Sequence, residues 1–411
     1  MARRVADLER RLCDAEERAQ KAEEELQKER EETRPTTLTE YLSLCHEHLS
    51  KSISVETDKS LTTKGDPSNA GGKLRPDYLQ PWEDFLDTQR ETLESLYSIY
   101  PLVDMPRVFD SRHQIQGQGT KVALRKLASK QDLQILQRNT VETPVSQIVD
   151  HLKSLDDVRD NFGLAGGIMF YNHPNILKND AADVAERLEA QQQEPSTPRH
   201  SAPSTSRLRA DQICVHTTVE RVTKSVLIVE YKAPHKVTLA CLRRVLRPGR
   251  SPLELDKVIY GVSVPRPEDK VAYFDYQAEH LVAAIVTQTF SYMVKDGTQY
   301  GYVTTGEAFV FLHIELEDPT TVYYHLAEPN KDVNAQNEAF PNTKDYLHHT
   351  AISQVLAFSV LALGSAQGNQ EWQDDIAKTL KIWEVDYKAI SQETFRNSRN
   401  CRQIVAVLTR T

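Results

Sequence analysis

The chain has no cysteine pair of any diagnostic spacing. Its five thiols, at positions 13, 45, 214, 241 and 401, are scattered and odd in number, with no Cys-x-x-Cys among them. That excludes a disulfide framework and reads as reduced thiols in an intracellular chain, cytoplasmic or nuclear. Long apolar runs are missing too. The most apolar helix expected, Ala351–Leu363, carries Ser353 and Gln354 and falls short of the roughly 20 residues a membrane span needs, so no membrane partner is expected. The opening Met-Ala-Arg-Arg is followed by charge rather than by the apolar core of a secretory leader. Basic excess is absent as well: 50 Lys and Arg stand against 59 Asp and Glu, a net charge of −9. This excludes a protein that coats nucleic acid through bulk charge and leaves only a local basic face for such a partner. With 39% hydrophobic residues and a mean hydropathy of −0.53, part of the chain must lie outside any packed core.

What is present begins with a charged helix. Residues 1–33 contain neither glycine nor proline, and Val5, Leu8, Leu12, Ala15, Ala19, Ala22 and Leu26 step alternately by three and four. That seam predicts a homo-oligomeric coiled coil; a single solvated helix is the alternative, because three seam positions are alanine. Residues 35–135 read as a helical region. It holds a helix over Thr37–Ser50, a polar loop over Lys51–Arg75, and an amphipathic helix opening at Pro81 and stopped by Tyr100-Pro101. Gln116–Lys126 faintly echoes a nucleotide-binding loop, but no His-Arg-Asp or Asp-Phe-Gly follows, so a loop entering a basic helix is expected.

Residues 140–392 carry the strand signals. A helix is expected over Val145–Asp157 and a strand over Gly166–Tyr171, followed by a Pro/Ser/Thr-rich linker at 191–207 with nothing to bury. Strands then follow at Gln212–Thr218 and Ser225–Val229, the second a continuous apolar run that predicts a central position covered on both faces. Asp211 opens the first of these strands, and Glu230-Tyr231-Lys232 closes the second. Alternation along a strand puts Glu230 and Lys232 on one face, where burying them is costly unless they pair or hold an ion. Two carboxylates suit Mg2+ or Mn2+, and a neighbouring lysine suits an attacking water, which is the equipment of phosphodiester hydrolysis. A structural ion pair is the competing reading.

These residues resemble the PD-(D/E)XK, restriction-endonuclease-like nuclease superfamily, and its RecB-like members in particular. Asp211 matches the acid of the first half-motif, with Ala210 where the motif has proline, and Glu230 and Lys232 match Glu-x-Lys. Gln288 and Tyr292 match the Gln-x-x-x-Tyr element carried on the following helix. The resemblance implies Asp211 and Glu230 as metal ligands and Lys232, Gln288 and Tyr292 as catalytic residues. It also implies a further acid on the first helix, for which Asp150, Asp156, Asp157 and Asp160 are available. The rows VEYKAPHK, TQTFSYM, YGYVTTGEAFVFL and TTVYYHLAEP are similar to a large group of uncharacterised fungal proteins. In that group a nuclease-like region often precedes a kinase-like domain.

Beyond the pair of strands, Leu239–Leu246 is expected as a helix. Lys236, Arg243, Arg244 and Arg247 form the dense basic run beside the acids, either a rim contacting nucleic-acid phosphates or a solvated face. An apolar helix over Gln277–Val294 precedes strands at Tyr300–Thr304, Ala308–Ile314 and Thr321–Leu326. Helices over His348–Leu363 and Trp372–Ile390 follow, the latter packing through Ile376, Leu380, Trp383 and Tyr387, and residues 393–411 form a tail. The expected fold is α/β (α+β): a mixed central sheet flanked by helices. Two functions fit it, a metal-dependent nuclease or a catalytically inactive nuclease-like module dimerised by its N-terminal helix.

Overall fold

A computed structural model describes residues 2–68, 70–100, 106–164, 166–172, 210–217, 223–261, 264–341 and 343–384. The strands, in chain order, are β1 (Ser54–Val55), β2 (Leu74–Arg75), β3 (Tyr78–Pro81), β4 (Lys126–Leu127), β5 (Ile168–Tyr171), β6 (Gln212–Thr217) and β7 (Thr223–Tyr231). They continue with β8 (Leu253–Glu254), β9 (Tyr300–Thr304), β10 (Phe309–His313), β11 (Thr321–Ala327) and β12 (Lys381–Ile382).

The fold is a mixed α+β arrangement built on one eight-stranded sheet in the order β5-β6-β7-β9-β10-β11-β3-β8. Strands β5, β6 and β7 form an antiparallel meander. The chain then crosses over through the helix Lys270–Asp296 and returns as β9, parallel to β7. The unbroken apolar run of β7 explains its central place, because both of its faces are covered. Leu227, Val229 and Tyr231 join one core with Val145 and Ile148 of the helix Thr143–Leu152 and with Val355 and Phe358 of the helix Ala351–Leu363. Ile228 turns to the opposite core with Val282, Ile285 and Met293 of the crossover helix. The result is helix, sheet, helix, as a doubly covered strand requires.

The crossover helix is long because both ends are fixed. The Asp269 side chain accepts from the Ala272 N–H at its start, and Gly297 ends it with a left-handed φ of 74°. A Cβ at Gly297 would lie 2.2 Å from the Gly368 carbonyl oxygen, so backbone approach also demands glycine there.

Several expectations need correction. Pro81 does not begin a helix; it ends β3, paired in parallel with β11, and the helix starts at Phe85. A terminal strand position tolerates a residue without an N–H donor, and Trp82 resumes the ladder by donating to the Tyr324 carbonyl. Residues 116–123 are helical rather than a loop: a Ser111–Gln114 capping box starts the helix Arg112–Ala123, which runs through Gly117 and Gly119. The helix expected over Trp372–Ile390 covers Gln370–Thr379. Beyond it, β12 pairs with β2 and Trp383 is buried, while Tyr387 and Ile390 fall outside the described residues. The helix over Thr37–Ser50 is α-helical to Cys45 and then widens to a π turn, His46–Ser50.

Residues 35–135 are not purely helical, since they supply β1 to β4. Leu38, Leu42, Phe85 and Leu133 from this region share one core with β7 and β10. The N-terminal seam lies in a helix, Ala2–Thr33. The 191–207 linker and the 393–411 tail lie outside the described residues. Among the described residues, no helix is long and apolar enough to cross a membrane.

Candidate functional site

The ends of β6 and β7 bring three ionisable side chains together. Asp211 precedes β6, whose Gln212 pairs with Val229, so the acid falls beside the exit of β7. Glu230 and Lys232 leave β7 on the face of the crossover helix, as strand alternation requires. On that helix Gln288 and Tyr292 are one turn apart and both buried.

Contacts inside the cluster are direct. Lys232 Nζ donates to Glu230 Oε1 at 3.0 Å and to Gln288 Oε1 at 2.8 Å. The Gln288 amide donates to Glu230 Oε1 at 2.8 Å and to the Tyr292 hydroxyl at 3.4 Å. Ser68 Oγ donates to Gln288 Oε1 at 3.0 Å, which holds the amide from the other side. The five residues that the resemblance assigns to metal binding and catalysis belong to one neighbourhood, although Glu230 is 0% and Lys232 3% exposed.

Sequence reasoning missed Lys130, which lies between the two acids. Its Nζ is 2.5 Å from Asp211 Oδ1 and 3.4 Å from Glu230 Oε1. It is the first residue of a short helix, Lys130–Gln137, whose Ser129 cap accepts from the Asp132 N–H. Lys73 was missed as well; it is buried, 5.8 Å from the centroid of the Tyr292 ring. Neither lysine carries a local sequence signal, because each is brought in from a segment remote along the chain.

The electrostatics follow from enclosure. Burial and the adjacent Glu230 charge push the Asp211 carboxyl up to about 6. For Glu230, burial works against ionisation, yet the Lys232 and Lys130 ammoniums outweigh it and hold the carboxyl below its usual value. Burial lowers Lys232 against the attraction of Glu230, and lowers Lys73 to about 8. Lys130 goes the other way, raised because the Glu230 and Asp211 charges overcome its partial enclosure. Glu230 Oε2 is buried and has no hydrogen-bond partner.

None of the four aspartates open for the first-helix acid reaches this site. Asp150 pairs with Lys153, and Asp156 and Asp160 pair with Arg159, while Asp157 is exposed. The buried acid of this region is Glu142, where the π turn Arg138–Glu142 meets the helix Thr143–Leu152. It lies on the opposite face of β7, where Glu142 Oε1 and Gln212 Oε1 both contact the Tyr231 hydroxyl. Two acceptors share one hydroxyl proton here, and burial pushes the Glu142 carboxyl up to about 7. Among the described residues, no three His, Cys, Asp or Glu side chains converge on one point.

The basic run is largely engaged. Arg243 is bidentate on Glu328, Arg244 pairs with Asp275, and Lys236 Nζ donates to the Lys64 carbonyl at 3.5 Å. Arg247 is exposed, and its backbone carbonyl accepts from the Tyr324 hydroxyl.

Fold and site together define an α+β protein with an enclosed acid–lysine–amide cluster at the end of a central strand. The chain belongs to the family described as the Spore killer 2 N-terminal domain, which it matches over residues 37–383, a span that contains every residue of the cluster. It is similar to the meiotic driver SPOK2 of Podospora anserina (strain S), 25% identical over 377 residues that cover 87% of this chain and 47% of the relative. The chain thus spans about half the length of that curated relative. No solved structure matches the chain.

Proposed function

We propose that the chain is a metal-dependent nuclease of the PD-(D/E)XK type, hydrolysing phosphodiester bonds in nucleic acid. The observation that carries this reading is the convergence of Asp211, Glu230, Lys232 and Gln288 at the exit of one strand. The chain order supports it: a helix, three antiparallel strands, a crossover helix and a strand parallel to the third. A divalent ion suits the residues present. Asp211 and Glu230 already share one cation, the Lys130 ammonium, and Glu230 Oε2 is buried without a partner. Two carboxylates suffice for Mg2+ or Mn2+, since such ions keep several waters.

When bound, the ion would lower the pKa of a coordinated water and offset charge on the phosphate. Lys232 would position the attacking water or neutralise charge building on the phosphoryl oxygens. Gln288 fixes the direction of that lysine by accepting from it while donating to Glu230. Arg247 and Lys236 would contact the nucleic-acid backbone outside the cluster; Arg243 and Arg244 would first have to leave their carboxylate partners.

The burial of Glu230 and Lys232 favours a second reading, an inactive nuclease-like module. Plasmid and oligonucleotide cleavage with Mg2+ or Mn2+ decides between them. Wild type should cut and Lys232→Ala should lose at least about a hundredfold in rate. Equal, background-level signals from both proteins would leave the module reading.

A further inference from the structure

We infer that Lys130 is a built-in counter-cation that closes the carboxylate pair, so that a divalent ion can reach Asp211 and Glu230 only by displacing it. This rests on the nuclease reading and concerns how that site is opened. The first argument is geometric. Lys130 Nζ touches both carboxylates, at 2.5 Å from Asp211 Oδ1 and 3.4 Å from Glu230 Oε1. The remaining Asp211 oxygen is taken by the Tyr231 N–H at 2.8 Å. Glu230 Oε1 is shared among Lys130, Lys232 and Gln288. The gap between the acids is therefore filled by the chain's own ammonium.

The second argument is exposure. The side chain of Lys130 is 47% exposed, against 18% for Asp211 and 0% for Glu230. Lys130 thus reaches in from the solvent side over groups that are themselves enclosed. Swinging outward would return its ammonium to water and uncover both acids, whereas Lys232, 3% exposed, has no such exit.

Charge supplies the third argument. Two carboxylates face Lys130 and Lys232, and Lys73 is enclosed nearby against Tyr292. A divalent cation added with Lys130 still in place would leave excess positive charge in a poorly solvated pocket, which is costly. Exchanging Lys130 for the ion removes part of that excess, and an incoming phosphodiester anion removes more. Cation and nucleic acid should therefore favour each other's binding, and the metal-free, substrate-free protein should remain closed.

Titration calorimetry with Mn2+ alone, on the full chain, tests this through Lys130→Met, which keeps the apolar stem and removes the charge, and Lys130→Arg, which keeps a bridging cation. The expected result is Mn2+ binding at least tenfold tighter in Lys130→Met than in wild type, with Lys130→Arg no tighter than wild type. The metal-free unfolding temperature of Lys130→Met should fall, and Mn2+ should restore it. Equal Mn2+ affinity in wild type and Lys130→Met would overturn the inference while leaving the metal site intact. No binding in either would overturn both. If Lys130→Met fails to fold without metal, Mn2+ must rescue it, and failure to fold with Mn2+ present also overturns the inference.

Discussion

The backbone N–H of Tyr231 donates to Oδ2 of Asp211 at 2.8 Å. One carboxylate oxygen thus docks its strand to the neighbouring one, and the other faces the cation. Asp211 is at once a strand clamp and a charge. An amide at this position keeps the first role and loses the second. Asp211→Asn should therefore remain folded, with its carbonyl oxygen accepting from Tyr231, while Mn2+ affinity drops at least about tenfold because one of two anionic donors is gone. Calorimetry of the two proteins side by side checks it, and undiminished affinity in the variant would remove Asp211 from the metal site.

Glu142 makes a prediction about pH. Its carboxyl rises from an unfolded value of 4.5 to about 7 in the folded chain, so the folded state holds the proton more tightly. Stability from this group is fully present below pH 4.5 and is lost as pH rises toward 7, by roughly 3 kcal/mol for a shift of that size. Glu142→Gln mimics the protonated acid. It should unfold several degrees higher than wild type at pH 8 and show a flatter decline between pH 5 and 7. The slope that remains belongs partly to Asp211, pushed up to about 6 in the same direction. A lower unfolding temperature for Glu142→Gln at pH 8 would mean that the ionised form is the one the fold prefers.

Two glycines in one helix should respond oppositely to alanine. A Cβ at Gly117 meets nothing within 4 Å, so Gly117→Ala should gain about 0.5–1 kcal/mol from helix propensity and reduced unfolded-state freedom. A Cβ at Gly119 would lie 2.5 Å from the His48 carbonyl oxygen, which backbone cannot easily yield. Gly119→Ala should cost about 1–3 kcal/mol net, as overpacking does. Urea unfolding of the two variants gives both signs in one experiment.

Assembly is tested separately. Side chains from Arg10 to Glu31 are exposed throughout, Leu12 at 60% and Leu26 at 49%, so this stretch of the heptad seam is uncovered in a single chain. We propose that it pairs with a second copy. Sedimentation at micromolar concentration should show a dimer for the full chain and a monomer for residues 34–411. Two monomers would assign the helix to solvent.

The legible part of the site was local. Strand alternation joins Glu230 to Lys232, and helical spacing joins Gln288 to Tyr292, so a few consecutive residues carry each pairing. Asp211 was readable because one hairpin returns it to the end of β7. Lys130, Lys73, Ser68 and Glu142 were not readable. Each reaches the cluster or its underside by tertiary packing across long stretches of chain, and nothing in its own neighbourhood marks it. The fold divided the same way. The continuous apolar run of β7 announced a central strand, whereas β3 is four residues long and ends in proline. The helix Arg112–Ala123 was masked by its two glycines, whose low propensity is overridden by packing against the π turn at His46–Ser50.

The pairing of β2 with β12 fixes the order in which this molecule can be completed. Trp383 exchanges backbone hydrogen bonds with Gly72 and Lys73, its N–H reaching the Lys73 carbonyl at 2.9 Å and its carbonyl accepting from Gly72 at 2.9 Å. The segment that presents Lys73 to Tyr292 and Ser68 to Gln288 is thus pinned by residues about three hundred positions later. Closing so long a loop is slow, because the entropy is lost before the contacts form. A chain still emerging from the ribosome, or one that stops before residue 380, cannot hold Lys73 and Ser68 in this way. The acid–lysine cluster then gains its full surroundings only once nearly the whole family-matched region exists, which confines the finished site to molecules that extend through Trp383.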